Sequence, residues 1–283
     1  MNIVVLTSVA MLAFAGNSLL CRLALQHTGI DAATFTSVRL VSGALVLWVI
    51  ASRQATAQPR RLAGGWLSAF ALFAYAEAFS FAYISLPAGT GALLLFAAVQ
   101  ISMLGWGLSK GERFSRWQAI GFMLAVGGLV FLLLPGIAAP PLQGALLMIL
   151  AGIAWAAYSL RAKGAGDPTQ VTAGNFARSA PMALAVSAAM LSSMRWSPAG
   201  IAYAVASGAL TSGLGYVIWY AALRELRVTS AATVQLSVPV IAAFGGVAFL
   251  GESASVRLMV ASVLVLGGVA IVLLVRSRQA TSR

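Results

Sequence analysis

Ten long apolar runs alternate with short polar connections: Ile3 to Leu20, Ala33 to Ile50, Leu62 to Ile84, Ala88 to Leu108, Trp117 to Leu134, Leu142 to Leu160, Val171 to Leu191, Ala199 to Leu223, Val228 to Leu250 and Val256 to Val275. Each is close to the roughly 20 residues needed to cross a hydrocarbon core about 30 Å thick. The pattern predicts an all-α integral membrane protein with ten transmembrane helices. The runs also come in two sets. At a fixed offset of 140 residues, Ala92 falls on Ala232, Ile101 on Ile241, Gly105 on Gly245, Gly111-Glu112 on Gly251-Glu252, Ser115 on Ser255 and Gly127-Gly128 on Gly267-Gly268. A shared Gly-Glu and Gly-Gly in one register marks a duplicated unit. The boundary falls in Pro135-Gly-Ile-Ala-Ala-Pro-Pro141, so the expected halves are residues 1–138 and 139–283 of one compact membrane domain. Five spans per half is an odd number, and the second half must enter the membrane from the opposite side. Two inverted five-helix repeats follow, an arrangement frequent among secondary transporters.

The cations test that topology. Alternate connections carry Arg53, Arg60, Arg61, Lys110, Arg113, Arg116, Arg161, Lys163, Arg224 and Arg227, and the tail adds Arg276, Arg278 and Arg283; the opposite set carries Arg22, Arg195 and Arg257. The excess of basic residues on cytoplasmic connections then puts both termini in the cytoplasm, in the cell's inner membrane. Composition agrees: 60% of residues are hydrophobic and 8% charged, where soluble domains carry about 25% charged. The net charge of +12 would suggest nucleic acid in a soluble protein, but here the cations sit where topology needs them. Cys21 is the one cysteine and His27 the one histidine, so neither a disulfide framework nor a Cys/His metal cluster is expected. No cofactor is implied.

Three ionisable residues fall inside predicted spans: Arg39, Glu77 and Arg178. Counting 1.5 Å per residue, Arg39 lies about 10 Å in from the outer face and Glu77 about 22 Å up an ascending helix. The two meet at nearly one depth, which predicts an intramembrane ion pair. Arg178 occupies the matching place in the second half, where Val217 replaces the acid. Its partner is expected to be a substrate carboxylate, with Asn175 one turn earlier, or else cytoplasmic water reached by snorkelling. On the third span Tyr75, Phe79 and Tyr83 share one face, while Glu77 points about 200° away from Tyr75. Asn17 and Ser18 on the first span, Trp155 and Tyr158 on the sixth, and Tyr216 and Trp219 on the eighth complete the candidate substrate contacts. The duplication relates Asn17 to Tyr158 and Arg22 to Lys163, reading Phe14-Ala-Gly-Asn-Ser-Leu against Trp155-Ala-Ala-Tyr-Ser-Leu; both cations are expected to anchor at the membrane surface.

In Gly-Glu, glycine permits a tight helix exit and the carboxylate can cap the next helix. The two Gly-Gly pairs are expected to bring helix backbones close together. The stretch Val238-Pro-Val-Ile-Ala-Ala-Phe-Gly-Gly-Val-Ala-Phe-Leu-Gly-Glu-Ser, followed by a Gly-Gly in the next span, resembles the C-terminal signature of the EamA-type drug/metabolite transporter superfamily. Within it the chain looks most like the YddG-type exporters of aromatic amino acids. In the first half Gln100 stands where the signature carries the proline seen at Pro239; it is kept as a candidate polar contact.

No Gly-x-x-x-x-Gly-Lys-Ser/Thr loop is present, so ATP does not drive this chain directly. Paired buried aspartates or a Ser/His couple, which an intramembrane hydrolase needs, are missing as well. An enzyme is not expected. Phosphorylated substrates would demand several cavity cations, and lipophilic cations an unpaired carboxylate. A small zwitterion with an apolar side chain fits what remains. The resemblance to the amino-acid exporters implies export of amino acids with apolar or aromatic side chains from the cytoplasm, and inverted repeats imply alternating access. A multidrug or lipophilic-cation exporter and a channel-like facilitator stay as alternatives. A homodimer is compatible with this plan. The lipid bilayer is the one certain partner, and nucleic acid is not expected.

Overall fold

The computed structural model describes residues 3–53, 63–111, 114–136, 139–162, 165–226 and 234–281. Glu112 of the first Gly-Glu turn, Lys163, and Arg60, Arg61, Arg113, Arg227 and Arg283 of the cation count lie outside the described residues. Of Tyr220, Arg224, Arg276 and Arg278 the backbone alone is described. Every regular element among the described residues is helical.

Helices α1 (Ile3–His27), α2 (Ala32–Arg53), α3 (Trp66–Tyr83), α4 (Ala88–Ser109) and α5 (Arg116–Leu133) make up the first half. Then follow α6 (Leu142–Ala162), α7 (Pro168–Ala189) and α8 (Pro198–Ala206), which runs on through a π-helical stretch, Ser207–Leu214, into α9 (Gly215–Glu225). Finally come α10 (Ser237–Leu250) and α11 (Val256–Thr281). Local chemistry fixes several starts. Ser115 and Gln118 form a reciprocal capping box on α5, and Asp167 accepts from the Thr169 and Gln170 amides ahead of Pro168 in α7. Ser197 accepts from the Gly200 amide where Pro198 opens α8. Such caps satisfy helix-terminal N–H groups, and proline at the first helical position forgoes none that matters.

Among the described residues, seven helical stretches are long and apolar enough to span a membrane: α1, α2, α4, α5, α6, Pro198–Trp219 and Val256–Val275. The sequence leads one to expect ten. Helix α7 falls short because Asn175, Arg178 and Pro181 break its apolar run, and α3 carries Glu77, Ser80 and two buried tyrosines. Helix α10 covers 14 described residues. Tyr75, Asn175 and Arg178 find polar partners on neighbouring segments: α3 packs on α6 and α7, and α2 packs on α7 and the π stretch. Further pairs are α4 with α10, α5 with α11, and α1 with α9 and α10.

The molecule is built apolar side out. Phe249 is 80% and Phe244 73% exposed, whereas Arg39 is 1% exposed, as expected where lipid is the solvent and polar groups must find partners inside. Helices α5 and α11 touch through glycine, since a Cβ on Gly121 would strike the Gly268 carbonyl and a Cβ on Gly268 the Gly121 carbonyl. Gly128 likewise faces Leu264 and Val265. One glycine of each Gly-Gly pair makes the expected close approach; Gly127 and Gly267 have nothing within 4 Å, because consecutive residues point about 100° apart.

Candidate functional site

Five helices and the π stretch converge on a cavity of ≈ 20 Å³, room for about one water molecule. Phe14, Asn17 and Ser18 of α1, Tyr75 and Phe79 of α3, Trp155 of α6, Thr211 and Tyr216 line it, with Leu95 and Phe96 of α4 closing one side. The rings form one connected cluster: Trp155 lies 4.8 Å from Tyr75 and 5.2 Å from Tyr216, and Phe14 meets Tyr216 edge-on at 6.0 Å. These separations suit the quadrupoles of aromatic rings. Asn17 is the polar centre. Its amide donates to the Tyr75 hydroxyl at 3.4 Å, and its carbonyl accepts from Ser207 at 2.7 Å and from Thr211 at 3.3 Å.

The π stretch supplies those hydroxyls. Closing i→i+5 bonds widens the turn, a feature frequent at functional sites. A Cβ on Gly208 would strike the Arg39 carbonyl, so this glycine lets the π stretch lie against α2. Ser212 then accepts from Nε of Arg39 at 3.3 Å. Ser207, Thr211 and Ser212 escaped the sequence reading, although the cluster Ser207-Gly208 and Thr211-Ser212-Gly213 within an apolar span was a visible signal.

Arg39 is not paired with Glu77, which corrects the expected ion pair. Its Nη2 donates to the Tyr75 hydroxyl at 3.3 Å, and its guanidinium carbon lies 5.4 Å from the Tyr75 ring centre and 5.0 Å from that of Phe79. Neither Nη1 of Arg39 nor either carboxylate oxygen of Glu77 has a hydrogen-bond partner among the described residues. Equal depth was not enough. Arg39 meets the Tyr75 face of α3, and Glu77 points about 200° around that helix.

The other candidates divide. Tyr158 stacks behind Trp155 at 5.6 Å and Trp219 meets Phe14 at 5.8 Å, so both form the second layer of the aromatic cluster. Tyr83 donates to the Ala88 carbonyl at the start of α4, beyond the cavity. Gln100 is buried on α4 but does not line the cavity. Asn175 and Arg178 are engaged elsewhere: Asn175 Oδ1 accepts from the Gly65 amide at 3.0 Å, while Arg178 Nη1 donates to the carbonyls of Ala63 at 2.8 Å and Gly174 at 2.9 Å. Together they clasp the turn that leads into α3.

At the end of the bundle where α1 finishes, the two halves are tied by charge. Arg22 pairs with Glu252 at 3.1 Å and donates to the Tyr83 carbonyl at 2.9 Å. Both oxygens of Glu252 accept from the Ala88 amide, at 3.0 and 2.8 Å. The carboxylate of the Gly-Glu turn therefore caps a helix as expected, but the helix is α4, 164 residues away in sequence, and not the next one. Gly251 makes the turn possible with φ +64°, a region costly for side-chain-bearing residues. Arg22 is thereby a tie between helix ends, not a surface anchor. Nearby, Asp31 accepts from the amides of Thr34 at 2.9 Å and Arg195 at 2.8 Å. Burial opposes its charge, but these bonds outweigh that and hold its pKa below the ordinary carboxylate value. At the opposite end an open apolar groove of ≈ 540 Å³ lies between the first turns of α1 and the start of α10, lined by Ile3, Thr7, Met11 and Ile241 among others.

An apolar exterior around a hydroxyl-rich, cation-bearing centre, assembled from helices of both halves, is the build of an integral membrane transporter. Residues 142–274 match the EamA-like transporter family. An uncharacterized protein of Pseudomonas aeruginosa is 56% identical over 269 residues, covering 95% of this chain and 93% of its own length. A protein of Archaeoglobus fulgidus described as an uncharacterized transporter is 26% identical over 275 residues, 93% of this chain and 94% of its own length. A solved crystal structure superposes with a TM-score of 0.69 over 97% of each chain at 19% identity, a likeness of fold. The second half of the chain thus carries an EamA-like transporter domain.

Proposed function

We propose that this protein is a secondary transporter that exports amino acids with apolar or aromatic side chains from the cytoplasm, working by alternating access between two inverted five-helix halves. The observation that carries the reading is the central cavity. An aromatic wall of Tyr75, Trp155, Tyr216 and Phe79 offers a surface for an apolar or aryl side chain, and the Asn17 amide with the Ser207 and Thr211 hydroxyls offers partners for a zwitterionic backbone. The likeness to YddG-type exporters supports the same substrate class. A lipophilic-cation exporter fits less well, because no carboxylate lines the cavity among the described residues.

The packing supports the two-half mechanism. Matching helices, α1 and α3 from residues 1–138 and α6 and α9 from residues 139–283, line the cavity, and α2–α7, α4–α10 and α5–α11 are pairs of matching helices. Inverted repeats that rock about a central site expose it to each side in turn. With the cytoplasm at the end where α1 begins, the Arg22–Glu252–Ala88 tie lies on the far side. A cavity of this size would then be an occluded form that must widen to take substrate.

Counterflow in proteoliposomes tests the reading. Labelled phenylalanine, tryptophan and leucine should enter in a saturable way that unlabelled amino acid inside accelerates, and a panel of lipophilic cations should not. No amino-acid counterflow together with cation accumulation would replace this substrate class by the multidrug one; unsaturable flux would make the protein a facilitator.

A further inference from the structure

We propose that Arg39 is the receptor for the substrate's carboxylate, with the Tyr75 and Ser212 hydroxyls holding its place until the ligand arrives. The inference rests on the amino-acid reading for its ligand class.

Three observations converge on it. The first is the state of the charge. A guanidinium stays protonated in proteins and offers five N–H donors. The donor atoms of Arg39 reach two hydroxyls at 3.3 Å, its Nη1 has no partner among the described residues, and the remaining contacts are the faces of Tyr75 and Phe79. Every one of these groups is neutral. The second is the lack of a built-in counter-ion. Glu252 is committed to Arg22; Asp31 and Asp167 serve helix caps at the bundle ends, and Glu77 faces away. A lone charge deep in a membrane protein is costly and characteristically marks a substrate or ion pathway. The third is place. Tyr75 and Phe79 both touch Arg39 and both line the central cavity, so the guanidinium lies one side chain behind its wall.

The Tyr75 hydroxyl bridges Arg39 at 3.3 Å and the Asn17 amide at 3.4 Å, both long for hydrogen bonds. Displacing that hydroxyl frees Nη2 beside the unpartnered Nη1. A carboxylate can engage such a pair bidentately with charge assistance, which a neutral hydroxyl cannot match. The ammonium would then lie toward Asn17 and Thr211, and the side chain along the Trp155–Tyr216 wall.

Calorimetry on the purified full-length chain tests this with four probes: phenylalanine, phenylalaninamide, phenethylamine and 3-phenylpropanoate. The parent should bind phenylalanine about 10- to 100-fold more tightly than phenylalaninamide. Arg39→Gln should bring phenylalanine down to the level of the amide while leaving amide binding unchanged, and Arg39→Lys should recover part of the preference. Circular dichroism and thermal melting confirm that each variant is folded. If Arg39→Gln does not fold, Arg39→Lys decides through its ratio of acid to amide, which must fall. Equal binding of acid and amide by the parent, or an unchanged ratio in the folded variants, overturns the role of Arg39 and leaves the amino-acid reading intact. Binding of 3-phenylpropanoate but not phenylalanine, with the preference lost in Arg39→Gln, keeps Arg39 as a carboxylate receptor and overturns the amino-acid reading. Binding of none of the four overturns both.

Discussion

Arg39 on α2 and Arg178 on α7 are the two arginines inside predicted spans, and they are surrounded differently. Arg178 is saturated by backbone: the carbonyls of Ala63 and Gly174 accept its protons, and the Trp66 ring lies 5.9 Å from its guanidinium. It is a tie holding the entry to α3. Arg39 faces two hydroxyls and two rings beside the central cavity. One cation is consumed by the fold and the other is left available. The difference in neighbours sets the two roles.

Substitutions should separate them. The largest effect is expected for Arg39→Met, which should cut transport at least about 100-fold while thermal stability in detergent stays level or rises, because an apolar group replacing a buried charge is often neutral or stabilising. A large drop in melting temperature would make Arg39 a second structural tie. Arg178→Met should do the reverse, costing about 2–4 kcal/mol of stability through the loss of charge-assisted bonds to two carbonyls, with the residual folded fraction still binding substrate. Denaturant titration alongside ligand binding would expose any contrary split. Glu252→Gln provides a paired arginine for reference: losing its charge opposite Arg22, at a site 13–14% exposed, should cost about 1–3 kcal/mol, and a double-mutant cycle with Arg22→Met should recover part of that.

Smaller effects sharpen the contrast. Glu77→Gln should leave stability level or raise it, because it removes a buried carboxylate whose oxygens accept no bond; a loss rescued by Arg39→Met would restore the ion pair that the structure does not form. Asp31 gives the smallest signal. Its folded pKa lies below the ordinary value, so its contribution is complete above the unfolded pKa of about 3.9 and is lost as pH falls through the lower folded value. Melting curves between neutral pH and pH 3 should flatten in Asp31→Asn relative to the parent.

Much of the scaffold was legible because membranes reward long apolar runs. The runs starting at Ala88 and Leu142 predict α4 and α6 to within two residues. The aromatic face of α3, and Trp155, Tyr216 and Asn17 as separate candidate contacts, were also within reach, since spacing on one helix and polarity within a span are sequence properties. What escaped depends on neighbours. Depth along two helices placed Arg39 level with Glu77, but azimuth decided the partner, and the 200° offset from Tyr75 already contained the answer. The capping role of Glu252 was readable from Gly-Glu, yet its target, Ala88, is set by the packing of α10 on α4. Nothing in a hydropathy trace distinguishes π from α winding, so the stretch that carries Ser207, Thr211 and Ser212 read as ordinary span.

That stretch leaves α9 with an adjustable phase. Helices of π and α type differ in the angle each residue advances, so rewinding Ser207–Leu214 to α geometry would turn α9 about its own axis without breaking the chain's run through the membrane. Tyr216 and Trp219 would swing with it, and the Ser212 hydroxyl would leave Nε of Arg39. The eighth span thus contains a screw thread: a twist applied at one end is delivered to the aromatic wall as a change in which side chains it presents.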